Sequence, residues 1–135
     1  MLLVARYVGI PYKDQGREME GLDCWGLVRL IYKQELGIDL PSYCDGYQSA
    51  EEVHGASRMV VEEKARWSQI PDGEEEPGDV VVMKISGLPM HVGVIIGYGK
   101  MIHVMKGCDS VVEKYRSTMW KNRIDGYFRH DRIKG

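Results

Sequence analysis

The sequence has few cysteines, no excess of charge and no long apolar run, and each absence excludes a class of protein. Its 135 residues include only three cysteines, Cys24, Cys44 and Cys108, so a complete set of disulfides within the chain is impossible. No C-x-x-C pair occurs, which argues against a structural zinc ribbon. No apolar stretch approaches the ~20 residues that a membrane-spanning helix needs.

The charge balance and the first residues limit the expected partners and location. Lys and Arg number 18 against 20 Asp and Glu, for a formal net charge of −2, whereas a general nucleic-acid binder carries a basic excess. The start of the chain lacks the charged segment and the long apolar run of a secretory signal peptide. We therefore expect a protein that is made in the cytoplasm, binds no nucleic acid and needs another agent to deliver it elsewhere.

The length and the 44% hydrophobic content predict one globular domain over residues 1–135. A helix is predicted at 24–36, with Asp23 as its N-cap and Gly37 just after its end. The apolar positions of this helix recur at the spacing of a buried stripe. These positions are Cys24, Leu27, Val28 and Ile31.

The rest of the chain predicts a second helix and then a run of strands. Ser49–Trp67 has the pattern of an amphipathic helix. Short apolar runs separated by turn residues predict strands at 80–85, 91–96, 100–105, 110–113 and 126–129. Helices followed by a meander of strands indicate an α+β fold rather than a parallel βαβ fold.

Cys24 is a candidate nucleophile because it falls in the first turn of a predicted helix. The helix dipole and the unpaired N–H groups there favour an anion, so we expect a lowered pKa for its thiol. A thiolate is the attacking group in acyl transfer by cysteine enzymes. The alternative is that Cys24 is an inert, buried small residue.

Two histidines lie on successive predicted strands. His91 and His103 flank a hairpin that turns near Tyr98, so they are expected on one face of the sheet, directly opposite or one diagonal step apart. One ring could serve as a general base for Cys24 while the other orients it. The pair could instead hold a metal with Cys24 and either Cys108 or Asp23, or the two residues could be independent strand histidines.

Four segments in order resemble the NlpC family of papain-fold cysteine peptidases. They read G-I-P-Y at 9–12, G-L-D-C-W-G-L-V at 21–28, P-G-D-V-V-V at 77–82 and H-V-G-V-I-I-G-Y-G-K-M-I-H at 91–103. The family signature is D-C-S-G-L-V, then P-G-D-L, then H-V-G-I-Y-I-G-x-G-x-x-I-H. The resemblance runs from about residue 6 to residue 130, and the D-C-W-G-L-V form looks most like the phage-tail branch.

The resemblance implies a fold and a set of catalytic roles. The fold is papain-like, with a helix that carries Cys24 packed on a central antiparallel sheet, an extra helix between them, and both histidines facing the helix end. Cys24 would be the nucleophile and His91 the general base. His103 would orient His91, and the hydroxyl of Tyr12 would help to bind the oxyanion.

The resemblance also implies a substrate, and one position departs from the family. Asp23 matches the residue that, in relatives, meets the free amine of a stem peptide. Trp25 stands where the family has a serine near that amine, so it is expected at the substrate pocket. The reaction would hydrolyse a γ-D-glutamyl–diamino acid amide in bacterial peptidoglycan, and we expect no cofactor or metal.

Three functions fit these features. The first is a cell-wall endopeptidase that is carried to the host wall by a phage tail, together with other tail proteins. The second is a non-catalytic component of tail assembly that keeps the fold. The third is a papain-fold amidase or acyltransferase that acts on another substrate.

Overall fold

The computed structural model describes residues 2–41 and 67–133. Within them the chain forms an α+β fold of one α-helix and eight strands. The elements are β1 (Arg17–Glu18), β2 (Gly21–Leu22), α1 (Cys24–Ile31), β3 (Trp67–Ile70), β4 (Val80–Ile85), β5 (Leu88–Gly97), β6 (Lys100–His103), β7 (Val111–Lys114) and β8 (Ile124–His130). No helix in this part of the chain has the length and apolarity to span a bilayer.

Helix α1 begins and continues as its sequence predicts. The Asp23 carboxylate accepts a hydrogen bond of 2.7 Å from the Gly26 N–H, which satisfies one of the free donors of the first turn. The helix passes into a π-helical turn at Tyr32–Leu36 and ends at Gly37, whose φ is 67°. Glycine adopts this left-handed conformation without steric cost, so it terminates the predicted helix at 24–36.

Six strands form one antiparallel sheet in the order β3-β8-β4-β5-β6-β7. The five predicted strands are all present, with bounds shifted by a few residues. Trp67, predicted as the last residue of a helix, instead begins β3 on the sheet edge. The remainder of that predicted helix, and Cys44 before it, lie outside the described residues.

The sheet separates two apolar clusters, because neighbouring side chains of a strand point to opposite faces. One face carries Val92, Val94 and Ile102 and packs against the buried side of α1. The other carries Ile95 and Met101 and packs against Trp120. Both faces of the six-stranded sheet are therefore covered by apolar side chains.

The β1–β2 hairpin closes tightly on the start of α1. A Cβ placed on Gly26 would lie 2.0 Å from the carbonyl oxygen of Gly16, and one on Gly16 would lie 2.2 Å from that of Gly21. No side chain fits at these separations, so both contacts require glycine. This close approach fixes the position of Cys24, two residues before Gly26.

Candidate active site

Cys24 lies at the N-terminal turn of α1, beside β5. The residue is 6% exposed. Its sulfur accepts backbone hydrogen bonds from Val92 and Trp25. Val92 directly follows His91 along β5, so the thiol adjoins the strand at the position of the first histidine.

The surroundings of Cys24 do not favour a resting thiolate. Burial raises the pKa of the Cys24 thiol to about 12, and the nearby Asp23 carboxylate adds to this effect. Backbone hydrogen bonds and the Arg17 guanidinium act in the opposite direction but are outweighed. The prediction of a lowered thiol pKa is therefore wrong, because desolvation exceeds the effect of the helix N-terminus.

His91 and His103 form a hydrogen-bonded pair. The distance from His91 Nε2 to His103 Nδ1 is 2.8 Å, and the ring planes are inclined at 72°. The pairing of Val94 with Ile102 puts Gly93 opposite His103, which leaves His91 one diagonal step away. A Cβ on Gly93 would lie 3.2 Å from the Cβ of His103. The predicted diagonal placement on one face is confirmed.

The two rings do not face the body of α1. Alternation along β5 and β6 puts them on the face of Ile95 and Met101, and Trp120 contacts both rings. Most of α1 covers the opposite face. The Cys24 thiol at the start of α1 meets β5 at Val92, next to His91. The expectation that both rings face this end of the helix stays a prediction.

The sequence interpretation missed two residues that complete the histidine pair. Glu113 Oε2 accepts a hydrogen bond from His103 Nε2. Trp120 stacks on His91 with ring centroids 5.6 Å apart, and its Nε1 lies 3.4 Å from Glu113 Oε2. Val111 pairs with His103 and residue 113 is the next one on that face, so Glu113 joins the histidines through a strand register that the sequence does not show.

Both histidines are buried, and their environment keeps the rings uncharged. His91 is 4% exposed and His103 is 1% exposed. Burial lowers the pKa of His91 to about 3, and the neighbouring His103 adds to the decrease. Burial also lowers the pKa of His103, although Glu113 opposes that change. At pH 7 the pair is therefore neutral.

Tyr12 lies in the same region as Cys24. Its hydroxyl is buried and makes no hydrogen bond of normal geometry within residues 2–41 and 67–133. Burial raises the pKa of this phenol, and Asp14, Cys24 and Asp23 all contribute to the increase. The Tyr12 hydroxyl thus interacts with the Asp14 side chain and lies close enough to Cys24 to respond to its charge.

Asp23 and Trp25 flank the thiol but point into the protein. The Asp23 side chain is fully buried, and its Oδ1 accepts 2.7 Å hydrogen bonds from Arg17 Nη1 and the Gly26 N–H. Trp25 is 7% exposed and its indole N–H donates to the Pro41 carbonyl at 2.8 Å. These contacts give both residues structural roles, and their expected contacts with a substrate stay predictions.

The metal interpretation finds no ligand set in the described part of the chain. There, no three His, Cys, Asp or Glu side chains converge as ligands of one ion would. Cys108, one of the two proposed additional ligands, is an exposed free thiol. The other, Asp23, already accepts from Arg17 and Gly26.

A comparison with protein-family models decides the family. The model of the NlpC/P60 family matches residues 9–129, which is nearly the whole chain. The chain belongs to the NlpC/P60 family. NlpC/P60 peptidases are cysteine hydrolases, and the matched segment contains the Cys24 turn and both histidine strands.

Curated relatives of this NlpC/P60 chain include enzymes named for cell-wall or γ-glutamyl hydrolysis. A gamma-DL-glutamyl hydrolase of Bacillus subtilis is 29% identical over 132 residues, which are 95% of this chain and 28% of the relative. The murein DD-endopeptidase MepS/murein LD-carboxypeptidase of Escherichia coli is 22% identical over 121 residues, 90% of this chain and 56% of the relative. The chain thus spans about a quarter and about half of these relatives.

Solved NlpC/P60 structures share the fold. The NlpC/P60 domain of the peptidoglycan hydrolase SagA superposes with a TM-score of 0.66 at 24% identity, covering 94% of this chain and 95% of that one. An NlpC/P60 family protein from Bacillus cereus gives 0.68 at 23% identity, covering 92% and 36%. At these identities the likeness establishes the papain-like α+β fold, with a helix on a large antiparallel sheet.

Proposed function

We propose that this NlpC/P60 chain is a cysteine peptidase that hydrolyses amide bonds in peptidoglycan stem peptides, of the γ-D-glutamyl–diamino acid type. The observation that carries the proposal is the 2.8 Å His91–His103 pair at the strand position next to the Cys24 thiol. A nucleophile, a base and a group that orients the base are the parts that acyl transfer needs.

The reaction begins from a neutral thiol and a neutral imidazole. His91 takes the thiol proton as Cys24 Sγ bonds to the scissile carbonyl carbon, and His103 holds the His91 ring in place. The N–H of Cys24 and the Tyr12 hydroxyl stabilise the oxyanion that forms. The tetrahedral adduct collapses, the C–N bond breaks, and His91 returns the proton to the leaving amine.

The second half of the reaction releases the acyl group. Water attacks the thioester carbon while His91 accepts a proton from it. The C–S bond then breaks and His91 gives that proton to the leaving sulfur, which leaves a free carboxyl and the Cys24 thiol. The buried phenol of Tyr12 lies close enough to Cys24 for the two groups to interact electrostatically, which supports its role in both steps.

Two observations support the choice of substrate and setting. Two curated relatives are named for γ-glutamyl and murein hydrolysis. The D-C-W-G-L-V form at 23–28 supports delivery to the host wall by a phage tail, with other tail proteins as partners. Asp23 and Trp25 would then contribute to the substrate site by holding the start of α1, which carries Cys24, in place.

Digestion of purified sacculi tests the proposal. The wild-type chain should release soluble muropeptides whose masses identify a cut between D-glutamate and the diamino acid, and Cys24→Ala should release none. A panel of γ-D-glutamyl peptides and simple acyl esters separates this activity from an amidase or acyltransferase on another substrate. Release of no fragment by the wild type, with esters turned over instead, would refute the choice of substrate.

A non-catalytic tail component is the second candidate, and the burial of the thiol favours it. Cys24 is 6% exposed and its thiol pKa is raised rather than lowered. Under this alternative the wild type and Cys24→Ala bind sacculi equally and neither releases fragments. A difference in released fragments between the two proteins would exclude it.

A further inference from the structure

Glu113 ends a chain of hydrogen bonds that begins at His91. His91 Nε2 meets His103 Nδ1, and His103 Nε2 meets the Glu113 carboxylate. This series of hydrogen bonds runs from the buried His91 ring to the Glu113 carboxylate, whose side chain is 39% exposed. Strands β5, β6 and β7 each contribute one member, so the sheet itself sets the order.

The chemistry of a carboxylate fixes the direction of every bond in this chain. An ionised carboxylate only accepts hydrogen bonds, so the His103 proton must lie on Nε2. In a neutral imidazole the other nitrogen is then an acceptor, and His103 Nδ1 accepts from His91 Nε2. His91 in turn is left with Nδ1 unprotonated, the form that a general base requires.

Trp120 keeps Glu113 and the rings in this arrangement. Its indole Nε1 lies 3.4 Å from the same Oε2 that accepts from His103. Its ring stacks on His91 at an interplanar angle of 18° and meets His103 edge-on at 90°. Trp120 is 1% exposed, so it excludes water that could otherwise offer the rings alternative partners.

We propose that Glu113 is a positioning residue that selects the Nε2–H tautomer of His103 and, through it, the Nε2–H tautomer of His91. Its use in turnover rests on the proposed peptidase function, whereas the tautomers themselves do not. In metal sites, outer partners that fix the tautomer of a ligating histidine are typically worth about 10–100-fold, and we expect an effect of the same size here. Glu113 contacts no substrate in this scheme, so its loss lowers kcat and leaves KM unchanged.

Nitrogen-15 NMR of histidine-labelled protein tests the tautomers without any substrate. In the wild type at pH 7, both rings should show a pyrrole-like Nε2 and a pyridine-like Nδ1. A pyrrole-like Nδ1 on His91 would overturn the proposal, whether or not the protein hydrolyses peptidoglycan. Failure of the sacculus digestion with the expected tautomers would instead refute only the proposed function.

Variants at residue 113 separate an acceptor from a merely structural role. Glu113→Leu removes the acceptor at similar volume and should give mixed tautomers of His91, with kcat about 10–100-fold lower. Glu113→Gln keeps a carbonyl acceptor, and the Trp120 indole N–H, which only donates, favours the orientation that points this oxygen at His103. It should therefore retain the wild-type tautomer and most of kcat. The exposed Glu74, changed to Gln, is the matched control for charge. Unchanged His91 shifts and kcat in Glu113→Leu would overturn the proposal.

Discussion

The rate at which Cys24 is alkylated should report a neutral resting thiol. The perturbation is pH, applied to a Cys44→Ala/Cys108→Ala variant in which Cys24 is the only cysteine. With a thiol pKa of about 12, the thiolate fraction at pH 7 is about 0.001%, against about 3% for an ordinary cysteine of pKa ~8.5.

The expected rate follows from two opposing effects. The thiolate fraction falls by a factor of about 3,000, but a thiolate of higher pKa is more nucleophilic, with a Brønsted slope of ~0.4–0.5. Together they predict alkylation about 100-fold slower than that of an ordinary thiol at pH 7. The burial of Cys24 would slow the reaction further.

Iodoacetamide labelling followed by mass spectrometry measures this rate from pH 6 to pH 10. The rate should rise about tenfold per pH unit with no plateau, because the thiol titrates above this range. Exposed Cys108, alone in a Cys24→Ala/Cys44→Ala variant, is the matched control. A plateau below pH 8, or labelling faster than that of Cys108, would show a resting thiolate and refute the argument from burial.

Three further predictions concern stability and can be measured by urea denaturation. Gly26→Ala should destabilise the fold by about 1–3 kcal/mol, because the alanine Cβ would meet the Gly16 carbonyl, and this clash outweighs the better helix propensity of alanine. Equal or higher stability of the variant would contradict the close approach of Gly16 to Gly26. Arg17→Met should cost about 3–5 kcal/mol by leaving Asp23 buried without its ion pair; a loss below ~1 kcal/mol would contradict it. Because the pKa of His91 is about 3 in the fold and ordinarily 6.5, the unfolded chain takes up the proton first as pH falls. The free energy of unfolding should thus drop by about 3 kcal/mol between pH 7 and pH 4 in the wild type, and by less in His91→Gln. Equal drops in the two proteins would refute a neutral, buried His91.

Local sequence signals located most of the elements that build the site. An N-cap at Asp23 and a glycine at residue 37 bounded the helix, and alternating apolar runs located the strands. Even spacing on neighbouring strands was enough to bring His91 and His103 together. These features depend on neighbours in sequence or across one hairpin, which is why a single sequence carries them.

Features of the site that depend on tertiary contacts and burial could not be predicted from local sequence patterns. The helix start argues for a lowered pKa of Cys24, but the amount of protein above the thiol is a tertiary property, and here it reverses the direction. The inward packing of Trp25 and its hydrogen bond to the Pro41 carbonyl are likewise tertiary contacts, which no local motif specifies. Glu113 joins the histidines only through the β6–β7 register, which no local motif specifies.

The rate of muropeptide release by Cys24→Ala tests the central claim most directly. Removing the nucleophile should lower the rate on sacculi by about 10³-fold or more, while Cys108→Ala, with its exposed thiol, should keep the wild-type rate. An undiminished rate in Cys24→Ala would contradict the assignment of Cys24 as the nucleophile.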